Sequence, residues 1–65
     1  KPAWLAVSTE RYRYVEHADA RQPAELYDLQ TDPKEWKNLA DDATHTAALE
    51  DLRALAVGHR RKFWD

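Results

Sequence analysis

Near the middle of this 65-residue chain, Thr31-Asp32-Pro33-Lys34-Glu35 separates two kinds of sequence pattern. Proline lacks an amide hydrogen and has a fixed φ, so it suits the first position of a helix and breaks an interior. Asp32 can accept the unpaired amide hydrogens of a first turn, and Glu35 follows at capping-box spacing. Upstream, short apolar and aromatic runs read as strands, with a period of two over Arg11–Val15 and no strict alternation over Glu25–Leu29. Downstream, apolar residues recur at helical spacing. The pattern predicts mainly strands over 1–30, a capped turn or short helix over 31–40, and a helix over 42–62.

The first strand reads Ala3-Trp4-Leu5-Ala6-Val7-Ser8 and the second Arg11-Tyr12-Arg13-Tyr14-Val15-Glu16. Alternation puts Tyr12 and Tyr14 on one face and Arg11 and Arg13 on the other. The short polar Ser8-Thr9-Glu10 connection implies an antiparallel hairpin, although no Asn-Gly or Gly-X marks the turn. A polar loop from His17 to Pro23 leads to a third strand, Glu25-Leu26-Tyr27-Asp28-Leu29.

Beyond Pro33, Trp36 and Leu39 fall on one face of a short helix or turn, and Asn38 is a plausible stop. Asp41 or Asp42 caps the next helix. Its apolar stripe is Leu49, Leu52, Leu55 and Ala56, with Glu50 and Arg53 pairing on the wet side. Gly58 either ends this helix or lies within it at a cost of about 1 kcal/mol. The fold class is α+β: a small antiparallel sheet, hairpin plus third strand, packed against a C-terminal helix. The expected core is Leu5, Val7, Tyr12 or Val15, Leu26, Leu29, Trp36, Leu39, Leu49, Leu52 and Leu55. Any further strand would come from an upstream chain.

A domain of about 60 residues buries only about 60% of the surface its unfolded chain exposes. This chain has no cysteine, which excludes disulfides and thiolate metal sites. It has aromatic core material but no staple, and a docked partner is the natural remedy. The net charge of −2 gives no electrostatic reason to expect nucleic acid or an anionic membrane as partner. No apolar run approaches the ~20 residues that span a bilayer. No apolar stretch of a secretory leader follows Lys1, an absence that a mature or truncated segment shares, so the compartment stays open.

No constellation for catalysis emerges. Ser8 is the one serine and lacks a nucleophile-elbow context. The one glycine, Gly58, rules out phosphate-cradling loops. His17, His45 and His59 lack metal-ligand spacing. Asp42, His45 and Glu50 could meet, but a cap and a solvated helix face explain the two carboxylates better. Arg11 and Arg13 could grip an oxyanion, although snorkelling on an exposed sheet face is the simpler reading. Arg60-Arg61-Lys62 beside Phe63-Trp64 reads as a charged helix end with aromatics folded back onto the core. No catalytic, cofactor-binding or metal residue is assigned.

Two stretches resemble a family pattern. Val7-Ser8-Thr9-Glu10-Arg11-Tyr12-Arg13-Tyr14-Val15 is similar to V-R-T-x-R-Y-K-Y-I. Glu25 to Ala40 follows E-L-Y-D-L-x-x-D-P-x-E-x-x-N-L-A. Both motifs, in this order and before a helix, resemble the C-terminal subdomain of sulfatases, within the alkaline-phosphatase-like superfamily. The resemblance implies a parent hydrolase of sulfate esters, with a divalent cation, usually calcium, and a formylglycine made in a C/S-x-P-x-R motif. Ser8-Thr9-Glu10-Arg11 is not that motif, and none of the family's metal or sulfate residues can be carried onto this chain. The chain alone is therefore expected to be inactive.

The expected partner is the catalytic sulfatase domain, in cis or as a separate chain. The chain would stabilise that domain and border its substrate cleft through the His17–Pro23 loop. Self-association is the other way to cover an apolar sheet face. A self-standing protein-interaction module, or the equivalent part of a related phosphatase or phosphonate-ester hydrolase, is the alternative.

Overall fold

Thr9 closes the hairpin that the sequence leaves without a marked turn. Its amide donates to the Tyr12 carbonyl at 2.8 Å, and its hydroxyl accepts the Tyr12 amide at 3.1 Å. In the computed structural model, which describes residues 3–63 and leaves out the Phe63 side chain, this hairpin joins β1 (Trp4–Ser8) to β2 (Tyr12–His17). β3 (Glu25–Asp28) completes an antiparallel sheet of order β1-β2-β3. A 3-10 turn (Ala43–His45) then leads into α1 (Thr46–Phe63). The α+β class read from the sequence is the fold observed.

Register decides which side chains meet. Val7 lies opposite Tyr14, and Tyr14 opposite Leu26. With Leu5 they form the sheet side of a core that Leu39, Leu49, Leu52 and Ala56 complete. Tyr12 packs against its margin. Tyr14, absent from the expected core, is 2% exposed. Val15 is also buried, but strand alternation turns it to the opposite sheet face. Leu29 is half-buried.

Two expected core residues lie outside. Leu55 is half exposed because each helical residue turns about 100° from the last, which carries it off the Leu49–Leu52–Ala56 stripe. Trp36 is 82% exposed because residues 31–40 form a turn and no helix. Asp32 does bind amides ahead of it, those of Trp36 at 3.0 Å and Lys37 at 2.8 Å. The capping box fails, however. Glu35 adopts a left-handed φ of 58° and sends its carboxylate to Arg13.

Asp42, the second of the two cap candidates, accepts the Thr44 amide at 2.9 Å and the Thr44 hydroxyl at 2.7 Å. The helix runs through Gly58, whose φ is not positive. Burial first, and then the hydrogen bond to Glu16, push the Tyr14 phenol up, and Arg53, expected to pair with Glu50, opposes them. The expected fold-back of Phe63 and Trp64 lies outside the described residues and side chains.

Candidate functional site

The helix covers one face of the sheet. The other face carries Trp4, Arg13, Val15, His17, Glu25 and Tyr27, placed there by the same alternation that buries Leu5, Tyr14 and Leu26. They line a shallow concavity of about 350 Å³, closed at one side by Glu35. Trp4, opposite His17 in the register, is half exposed. The outer edge of β1 pairs with no strand among the described residues.

Polar groups in this concavity are already partnered. His17 Nε2 lies 2.6 Å from a Glu25 carboxylate oxygen, and the Tyr27 hydroxyl donates to the other oxygen. Hydrogen bonds from Tyr27 and then His17 hold Glu25 below the usual carboxylate range. The same bond is the largest cause that pushes the Tyr27 phenol up to about 12. Arg13 Nε lies 3.3 Å from Glu35. Arg13 pairs with Glu35 and His17 with Glu25 across the face, and Tyr27 stays protonated at neutral pH. This suits recognition and packing, and it offers no activated nucleophile. The sequence reading missed the His17–Glu25–Tyr27 chain. Residues 25 and 27 share a strand face, but only the register brings His17 to them.

Arg11 and Arg13 do not converge on an anion. Arg11 donates to the 2%-exposed Asp28 carboxylate at 3.0 and 3.3 Å and lies over the Tyr12 ring, while Arg13 serves Glu35. The Arg11 bond is the main cause that holds Asp28 below its ordinary range. At the helix end, Arg60 Nε is 3.0 Å from a Glu16 oxygen, close enough for an ion pair though not aligned as a hydrogen bond. Glu16 also accepts the Tyr14 hydroxyl at 2.7 Å.

Asp42, His45 and Glu50 do not form a metal site. Asp42 is spent on Thr44, and His45 Nδ1 sits 3.2 Å from the Tyr12 hydroxyl with the two rings edge to face. Among the described residues no three His, Cys, Asp or Glu side chains come together to hold a cation, so these residues do not fit the divalent ion of the sulfatase resemblance. Among them, too, no helix is long and apolar enough to cross a membrane.

Residues 2–62 match the family model described as N-sulphoglucosamine sulphohydrolase, C-terminal. A protein described as a sulfatase, from Formosa agariphila, is 38% identical over 50 residues. That match covers 77% of this chain and 10% of the relative, so the chain spans about a tenth of the relative's length.

Proposed function

The chain belongs to the N-sulphoglucosamine sulphohydrolase C-terminal family, and from that membership we propose that it is the non-catalytic part of a sulfatase, stabilising the catalytic domain and bordering its substrate cleft. The observation that carries this reading is the second sheet face. It holds a half-exposed tryptophan, a buried valine and polar groups already paired with one another, a composition close to that of an interface within one protein. The catalytic domain packs on this face, and the free edge of β1 accepts a further strand from it. Sulfate-ester hydrolysis, with the divalent cation and formylglycine, belongs to that larger domain.

The test uses the full-length polypeptide that carries this chain. Trp4→Glu there lowers Tm and slows sulfate-ester hydrolysis. In the 65-residue chain the same substitution shifts Tm little, because Trp4 is already half exposed. A full-length polypeptide that hydrolyses no sulfate ester, or one that Trp4→Glu leaves unchanged, overturns the reading.

A further inference from the structure

With the His17 imidazole neutral, the concavity on the open sheet face carries more negative than positive charge. Arg13, on β2, pairs with Glu35 of the turn at 3.3 Å. Glu25, on β3, has two partners, and neither brings a fixed charge. His17 Nε2 lies 2.6 Å from one of its oxygens, and the Tyr27 hydroxyl donates to the other. An ionised carboxylate only accepts hydrogen bonds, so Nε2 carries the proton of the first bond, and Nδ1 is where a second proton enters. Tyr27, pushed up to about 12, stays a neutral donor. Two carboxylates therefore share the concavity with the one guanidinium of Arg13. Of the other elements around the pair, β1 brings Trp4, which has no charge, opposite His17. The loop after β2 brings Asp19, exposed and bound to Arg21 at 3.0 Å, near enough to interact with His17.

In the chain by itself this arrangement costs little. The His17 and Glu25 side chains are 23% and 30% exposed, so water reaches both. Covering the face removes that water. A carboxylate buried without a compensating charge is costly, whereas a carboxylate and an imidazolium at hydrogen-bond distance form a neutral pair. A proton entering at Nδ1 makes that pair, and the negative charge of Asp19 favours its entry.

We propose that packing of the catalytic domain on this face takes up one proton into the His17–Glu25 pair, so that the two parts hold together more tightly in mildly acid than in neutral solution. This coupling rests on the packing proposed above. Its sign follows from linkage. The covered pair binds more protons than the open one, so packing strengthens as pH falls, by up to about tenfold per pH unit for one proton. The gain begins where the covered pair acquires its proton and levels off once the open pair holds it as well. Both points fall in the range in which an imidazole titrates, roughly pH 5 to 8.

The test is calorimetry of the full-length polypeptide at about pH 6 and about pH 7.5, with His17→Gln and Glu25→Gln beside the unaltered protein. Acidification raises the Tm of the unaltered protein relative to that of His17→Gln, which has no second proton to take up. Glu25→Gln removes the charge that has to be covered, while its amide keeps an acceptor and a donor for the same neighbours. It loses the acid response too, and it compares better with the unaltered protein at about pH 7.5 than at about pH 6. A purely structural role of the pair predicts equal losses at the two pH values. Both side chains are partly exposed, and circular dichroism of the 65-residue variants checks that sheet and helix persist.

An acid response equal in all three proteins overturns the proposal, as does one that is larger in His17→Gln. If Trp4→Glu alters the full-length polypeptide while His17→Gln leaves its acid response intact, the packing stands and the proton coupling falls. If Trp4→Glu changes nothing, the packing is absent and the coupling falls with it.

Discussion

Asn38 stands in for a strand beside Leu26. Its side-chain oxygen accepts the Leu26 amide at 3.0 Å, and the next residue, Leu39, donates its amide to the Leu26 carbonyl at 2.7 Å. Asn38 also donates to the Ala24 carbonyl at 3.1 Å and accepts the Ala40 amide at 2.9 Å. The outer edge of β3 is closed by this one side chain and its neighbour. Leu39 is thereby delivered to the core.

Asn38→Ala leaves the amide of the fully buried Leu26 without its acceptor. An unsatisfied buried donor costs about 1–3 kcal/mol, a large share of the stability of so small a domain. Asn38→Asp keeps the acceptor but loses the donation to Ala24, and falls between. Urea denaturation of the three chains checks the order.

Gly58 lies in the helix with nothing within 4 Å of where a Cβ would stand. Gly58→Ala is expected to stabilise the chain by about 1 kcal/mol, the difference in helix propensity. That corresponds to a rise in Tm of about 4–8 °C for a domain of this size. A thermal melt that shows no rise contradicts the placement of Gly58 in open space.

Leu52 and Leu55 have the same chemistry and opposite surroundings, 2% and 50% exposed. Leu52→Ala is expected to cost about 2–5 kcal/mol, a large share of the stability of so small a domain, and to lower Tm steeply. Leu55→Ala stays within about 1 kcal/mol. Circular dichroism at equal concentration separates them, and similar losses would show that the buried stripe is centred elsewhere.

Asp28, Asp32, Asp42 and Glu25 are all held below their ordinary range in the folded chain, by Arg11, by backbone amides, by Thr44, and by Tyr27 with His17 respectively. A carboxyl whose folded pKa is depressed binds fewer protons folded than unfolded. Its contribution is present above the unfolded pKa, about 4, and is lost as pH falls through the lower folded value. Tm is therefore expected to be level near neutrality and to drop on acidification below about pH 5. Asp28→Asn lowers Tm at pH 7 and flattens part of the acid limb. A Tm independent of pH down to 3 contradicts these pairings.

Much of the architecture was legible locally. The Tyr12–Tyr14 alternation, the Asp42 cap and the Leu49–Leu52–Ala56 spacing each express a rule that acts within a few residues. The two quoted motifs pointed to the sulfatase family that residues 2–62 match.

What escaped the sequence depends on partners far along the chain. Asp32-Pro33 announces a helix, but Asn38 is drawn to Ala24 and Leu26, twelve or more positions away, and a helix could not bring it there. Glu35 turns to Arg13 for the same kind of reason, and Trp36 is left in solvent where helical spacing had put it inside. The His17–Glu25–Tyr27 chain exists only because the strand register aligns it. Local periodicity and capping chemistry thus settled which segments are strands and helix, because those preferences act over a turn or a pleat. Tertiary contacts decided which face is open, which acids turn inward and which tryptophan is presented, because hydrogen bonds and ion pairs between distant residues outweighed the local preference of residues 31–40.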